Sequence, residues 1–225
     1  NSLPVSILAI SSYEDNARTL SLFQAGVNDY VRKPVIDQEL LARVDNLVLN
    51  HRLLKELEEQ QQHLERIAMT DQLTGLYNRH YLMDVAQKKI ASIKRHSVKL
   101  SLIVIDIDFF KKINDAHGHT MGDLILTQVG GLFKELTRDE DVVARIGGEE
   151  FVILLDACSL KHAFTKAEEI RKALEEANFE NLNVTASFGV AQYGEDDKDF
   201  GALFMRADKA TYLAKDNGRN TVATD

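Results

Sequence analysis

Glu149 and Glu150 stand directly behind Gly147-Gly148 in ARIGGEEFVILL, between the apolar arms VVARI and FVILL. Paired glycines supply the positive φ angles that a two-residue hairpin loop requires, so a turn explains them. It does not explain the acids, because acidic residues are poor strand formers and adjacent like charges repel. A second acidic group closes the run LSLIVIDIDFF, where Asp106-Ile107-Asp108 marks the end of a buried strand. If hairpin and strand pair side by side, Asp106 and Glu149 converge. Two carboxylates with a main-chain carbonyl are hard oxygen donors of the kind Mg²⁺ takes, and a phosphate-bearing substrate commonly completes its octahedron. Plainer readings stand beside this one: a solvated hairpin tip for Glu149-Glu150, and N-capping of the helix FFKKIND for Asp106 or Asp108.

Further polar residues follow the strand. Lys111 and Lys112 open a helical turn, where an ammonium would meet phosphate or simply face water. Asn114 and Asp123 flank a Gly-containing turn, and a carboxylate there can accept both the N1–H and the 2-amino hydrogens of guanine, which adenine cannot offer in that arrangement. His117 and His119 lack the Cys or further His partners of a zinc site, which favours a part in loop packing.

The elements that must hold these groups are legible from apolar periodicity over residues 70–225. It predicts a helix at 78–96, a strand at 99–107, helices through 109–136, a hairpin at 141–156, a helix at 159–178, a strand at 184–192, a helix at 199–215 and a last short strand. The expected fold class is α+β, with helices over a mostly antiparallel sheet. Residues 1–46 carry a smaller α/β unit: the strand run VSILAI, the helix NARTLSLFQAG, the short strand NDYVRK and the helix DQELLARVDNL. Two such strands cannot make a complete doubly covered sheet. Between these parts, Leu47, Asn50, Leu54, Leu57, Gln61, Leu64 and Ala68 alternate spacings of three and four, a heptad seam over 47–68 that reads as a dimerising helix or as a solvated spacer.

Composition narrows the partners. A net charge of −8 excludes a nucleic-acid polymer as a general partner, since phosphate backbones need a basic face. An anionic ligand must therefore meet locally clustered Lys and Arg. The single Cys158 excludes an internal disulfide and suits a reducing, cytoplasmic setting. No apolar run reaches the roughly 20 residues of a membrane span, and no signal-peptide pattern opens the chain.

Taken together, TDQLTGLYNR, DIDFFKKIND, GHTMGD, GGEEF, TASFGVA and ADKATYLAKDNGRN resemble the GGDEF-domain diguanylate cyclases, in their GGEEF version, over residues 69–225. The resemblance implies a nucleotidyl cyclase palm with a ferredoxin-like core that condenses two GTP into cyclic di-GMP and two pyrophosphates. Carried over by position, it implies that Asp106, the Ile107 carbonyl and Glu149 bind Mg²⁺, with Mn²⁺ as substitute, and that Glu150 is the neighbouring catalytic carboxylate. Lys111 would assist near the transferring phosphoryl, while Asn114, Asp123 and His119 would contact the nucleotide. Lys215 and Arg219, one helical turn apart, would hold the terminal phosphates. Gly147 and Gly148 would let the backbone approach the triphosphate. Each domain carries one GTP, so the resemblance also implies a homodimer, for which the heptad helix is the candidate.

Arg138 and Asp141 match the family's RxxD inhibitory site, where Arg would bind product phosphate or a guanine edge and Asp the guanine amine; a solvated charged turn is the alternative. Residues 1–46 resemble the second half of a response-regulator receiver domain, through Ser11, Tyr30, the Lys33-Pro34 pair expected to be cis, and the helix DQELLARV. The phosphoacceptor half lies outside this sequence, so phosphorylation of the receiver type is not expected of it. Two rival readings remain: a non-catalytic receptor for cyclic di-GMP or GTP, and a structural dimerisation module.

Overall fold

The computed structural model describes residues 5–12, 16–96 and 98–225. They form two compact units, Asn1–Arg66 and Ile67–Asp225.

In the first unit, β1 (Leu8–Ser11) and β2 (Asp29–Arg32) pair in parallel, Ala9 opposite Tyr30, with α1 (Asn16–Gln24) as the crossover. The crossover closes at Gly26, whose φ of 92° suits a residue without Cβ. Phe23 meets Tyr30 edge-on at 5.9 Å, and the Lys33-Pro34 bond is cis. Arg43 forks onto both Asp29 oxygens, at 2.7 and 3.0 Å, and also holds Glu39.

Helix α2 runs unbroken over Asp37–Met69, 33 residues. The helix expected over DQELLARVDNL and the heptad seam expected from Leu47 merge, because no Gly or Pro interrupts this stretch. Seam positions Leu54, Leu57 and Leu64 are 53%, 61% and 67% exposed, far more than a leucine stripe serving only this chain needs.

The second unit is built on a six-stranded sheet of order β3-β5-β6-β4-β7-β8. Its strands are β3 (Tyr77–Asn78), β4 (Leu100–Ile107), β5 (Val142–Gly147), β6 (Glu150–Asp156), β7 (Ala186–Gln192) and β8 (Val222–Thr224). The centre is antiparallel, and the outer pairs β3–β5 and β7–β8 are parallel. Strand alternation explains why β4 is apolar throughout. Ile103, Ile105 and Ile107 join one core with residues of α5 (His119–Glu135) and α6 (Leu160–Glu176). Leu100, Leu102 and Val104 join the opposite core with α3 (Arg79–His96) and α7 (Phe200–Asp216).

The α+β expectation is met, and the elements of this unit begin and end within two residues of their expected limits. The helices expected through 109–136 are α4 (Phe110–His117) and α5, divided at Gly118, φ 82°, and the one detail not anticipated is the short strand β3. Helix α7 lies on the sheet with no spacer. A Cβ at Gly189 of β7 would stand 2.1 Å from the Ala207 carbonyl, and Thr211 donates its hydroxyl to the Val104 carbonyl at 3.1 Å. This close seat sets where the end of α7, with Lys215, meets the end of β4.

Candidate active site

Strand register brings the acids together. Asp106 faces Glu150 on β6 and Ser187 on β7, so it sits between two antiparallel neighbours. The hairpin departs from the expected loop in one respect. Gly147 pairs with Glu150, leaving Gly148 and Glu149 as the loop, because a register shift between Arg145 and Gly147 inserts one extra residue at Ile146. Both glycines still have positive φ, 153° and 49°, and nothing among the described residues lies within 4 Å of a Cβ built at either. The shift puts Glu149 on the loop, where its carbonyl accepts the Ile107 N–H at 3.3 Å, and leaves Glu150 on the strand opposite Asp106.

Arg145 locks this tip. Its Nε and Nη2 donate to the Gly148 carbonyl at 2.9 and 2.8 Å, and its Nη1 to Asp71 Oδ1 at 3.1 Å. Asp71 also accepts from the Thr74 amide and hydroxyl, at 2.9 and 2.7 Å. Burial pushes the Asp71 carboxyl up, but the Thr74 bonds and Arg145 outweigh it and hold the pKa below its usual value. Sequence reasoning passed over both residues. The available signal was an arginine two residues before a glycine loop and an acid in a turn that lacked a cationic neighbour.

The carboxylates at the strand end are crowded. Burial raises the Asp106 pKa, Lys215 opposes that, and Glu149 and Asp108 add to it. Burial raises Glu150 likewise, with Asp106 and Asp208 contributing. Lys215 Nζ stands 2.7 Å from Asp106 Oδ2. Among the described residues no three His, Cys, Asp or Glu side chains form a ready metal cluster. The expected set asks for less: two carboxylates and the Ile107 carbonyl. All three are hard oxygens, and their mutual repulsion is what a divalent cation relieves, so the donor chemistry fits Mg²⁺.

Two expectations change. Neither Asp106 nor Asp108 caps α4: Phe109 is its N-cap residue and makes no side-chain cap bond. The buried Asp108 instead accepts from Ser187 Oγ at 2.7 Å, Thr185 Oγ1 at 2.8 Å and the Asn220 N–H at 3.0 Å, tying three segments together. Lys215 and Arg219 are not one helical turn apart, because α7 ends at Asp216 and Arg219 follows Gly218 with a φ of 66°. Arg219 lies over the Phe109 ring at 4.6 Å, while Lys215 pairs with Asp106.

On α4, Asn114 is pressed against the start of α5. A Cβ at Gly122 would stand 1.9 Å from Asn114 Oδ1, so any larger residue there must displace the Asn114 amide. That oxygen is buried with no hydrogen-bond partner among the described residues. A buried acceptor left so costs about 1–3 kcal/mol, which a ligand N–H would recover. Asp123 follows Gly122 and is exposed, as are His117, His119 and Lys111.

Arg138 and Asp141 form the turn before β5. Asp141 accepts the Arg138 N–H and the Asp156 N–H, both at 3.3 Å, and the Arg138 guanidinium is exposed. Both residues line a pocket of about 360 Å³ with Thr70, Tyr77, Lys134 and Thr137. This volume falls in the range of small-ligand sites.

Such a sheet, with carboxylates at the end of its central strand, defines a domain of the nucleotidyl cyclase palm type. Residues 68–221 match the family model described as "Diguanylate cyclase, GGDEF domain", and the chain belongs to that family. It is 39% identical to the response regulator PleD of Caulobacter vibrioides over 223 residues, 96% of this chain and 49% of that protein. Diguanylate cyclase A of Treponema denticola is 39% identical over 184 residues, 79% of this chain and 50% of the relative. The chain thus spans about half the length of these relatives. The coiled coil and GGDEF domain of DgcB from Caulobacter crescentus, solved with c-di-GMP, align with a TM-score of 0.73 at 28% identity, covering 83% of this chain and 99% of that one. The active GGEEF domain of a Vibrio cholerae diguanylate cyclase aligns at 0.63 and 38% identity, covering 65% and 96%. Among the described residues no helix is long and apolar enough to cross a membrane.

Proposed function

We propose that the chain is a Mg²⁺-dependent diguanylate cyclase that joins two GTP into cyclic di-GMP, releases two pyrophosphates and is inhibited by its product. The observation that carries this is the juxtaposition of Asp106, Glu149 and Glu150 at one strand end, with Lys215 on Asp106. Residues 1–46 act as a partial receiver, 47–68 as the linker helix and 69–225 as the catalytic domain.

Asp106, Glu149 and the Ile107 carbonyl would hold the metal. The chemistry supplied by bound Mg²⁺, or Mn²⁺ in its place, is polarisation of the α-phosphate and a lowered pKa for the attacking 3′-hydroxyl. Glu150, with its raised pKa, is suited to take the hydroxyl proton. Asn114 and Asp123 orient guanine, with His119 beside them, and the open Gly147-Gly148 backbone admits the triphosphate. Lys111, Lys215 and Arg219 balance phosphate charge. Attack by each 3′-hydroxyl on the other nucleotide needs two sites face to face, and the exposed seam of α2 supports a homodimer.

Arg138 and Asp141 bind product in the pocket before β5, with the Arg138 fork on phosphate and Asp141 on the guanine amine. The test is chromatography of the chain incubated with GTP and Mg²⁺. Cyclic di-GMP from the wild type and none from Glu149→Ala supports the proposal. Binding of cyclic di-GMP without turnover would instead identify a receptor.

A further inference from the structure

Phe109 is in an unusual position. It is 51% exposed, and its backbone is left-handed, φ 57° and ψ 24°, a region that bulky side chains avoid. It also occupies the N-cap of α4, where Ser, Asp or Asn would serve the helix better. Its neighbours explain how the strain persists: Asp108 and Phe110 are 5% and 6% exposed, and Asp108 is anchored by Thr185, Ser187 and Asn220. With both sides pinned, the ring turns outward.

Two cations meet that ring. Lys112 Nζ lies 4.3 Å from its centroid and the Arg219 guanidinium carbon 4.6 Å. Neither forms an ion pair with a carboxylate among the described residues, whereas Lys215 is paired with Asp106. Like charges gathered on one aromatic ring repel each other, and the ring quadrupole offsets only part of that. A polyanion shared between them offsets the rest.

We infer that Phe109 is a positioning residue, whose ring holds Lys112 and Arg219 as a pair of cationic jaws for the terminal phosphates of a nucleoside triphosphate. The inference rests on the proposed nucleotide site and adds to it a residue that itself touches no reacting atom. Strained backbone is retained here because a ring at this point organises two flexible side chains before the ligand arrives, which lowers the entropy cost of binding.

The test compares Phe109→Leu, Phe109→Tyr and Phe109→Gly with wild type, by calorimetry with the α,β-methylene analogue of GTP and with GMP, and by steady-state kinetics. Loss of the aromatic ring in Phe109→Leu is expected to weaken analogue binding about tenfold, within the strength of two cation–π contacts. GMP binding and kcat stay level while KM for GTP rises by a similar factor, and Phe109→Tyr behaves as wild type. Phe109→Gly relieves the left-handed strain, so its Tm rises while its analogue binding falls as in Phe109→Leu. Unchanged analogue binding in Phe109→Leu overturns the inference, as does an equal loss for GMP and analogue, which would make the ring a base platform. A wild type that binds neither ligand overturns the nucleotide site itself.

Discussion

Asp106 and Glu150 occupy opposed positions on β4 and β6, and both carboxyls are raised, first by burial and then by neighbouring acids, Glu149 and Asp108 for Asp106 and Asp106 itself for Glu150. A raised carboxyl means the folded chain holds that proton more tightly than the unfolded chain does. Its charged form is therefore a destabilising element at neutral pH, tolerated where function needs it.

Asp106→Asn accordingly raises Tm at pH 7.5 without Mg²⁺, although the Lys215 pair is lost, because Lys215 already fails to outweigh burial and repulsion. The gain shrinks as pH falls through the folded pKa, where the wild-type carboxyl takes up its proton. Turnover falls at least ~100-fold, the scale of a lost charge-stabilising group. Thermal melts across pH, paired with product chromatography, check both halves; a lower Tm at neutral pH would contradict the sign.

Asp71 behaves oppositely. Its pKa is held down, so its contribution is full above the unfolded carboxyl pKa and is lost as pH falls through the folded value. Asp71→Asn costs about 1–2 kcal/mol at pH 7, after allowance for its partial exposure, and the gap to wild type closes toward pH 3. Denaturant titrations at several pH values measure this.

Gly122→Ala drives a methyl into Asn114 Oδ1 and displaces the amide. KM for GTP rises roughly tenfold, consistent with one misplaced base contact. Helix content by circular dichroism stays the same, since alanine favours a helix.

Gly189→Ala tests the seat of α7. No flexible side chain can yield to it, because the clashing atoms are the Ala207 carbonyl and the Thr211 amide, 2.1 and 2.2 Å away. The expected cost is about 1–3 kcal/mol in denaturant melts, with Lys215 carried away from Asp106 and turnover reduced.

Arg138→Ala removes the exposed guanidinium from the pocket that Asp141 also lines. Added cyclic di-GMP then no longer slows turnover, and the initial rate without product stays at the wild-type level. Inhibition curves distinguish this from a variant in which product still inhibits at the wild-type concentration.

Much of the candidate site was legible because it is local. DID at a strand end, Gly-Gly-Glu-Glu in a hairpin, and Asn and Asp about a glycine turn are short-range patterns with direct physical meaning. What escaped depends on contacts across the sheet. Asp108 looked like a helix cap and is a tie between β4, β7 and the Asn220 turn. Arg145 looked like an ordinary strand residue and holds both the hairpin carbonyl and Asp71. Lys215 and Arg219 looked like one helical pair, and a left-handed turn after Asp216 sends them to different partners.

The sequence by itself determined the α+β architecture, the acidic strand end and the heptad stripe, since apolar periodicity and turn residues encode which face of each element is buried. Only the tertiary structure decided the one-residue shift at Ile146, which puts Glu149 on the loop and Glu150 opposite Asp106. It also decided which cation meets which partner. A bulge and a long charged side chain take their places from strand register and from neighbours distant in sequence, and neither leaves a periodic signal in the chain.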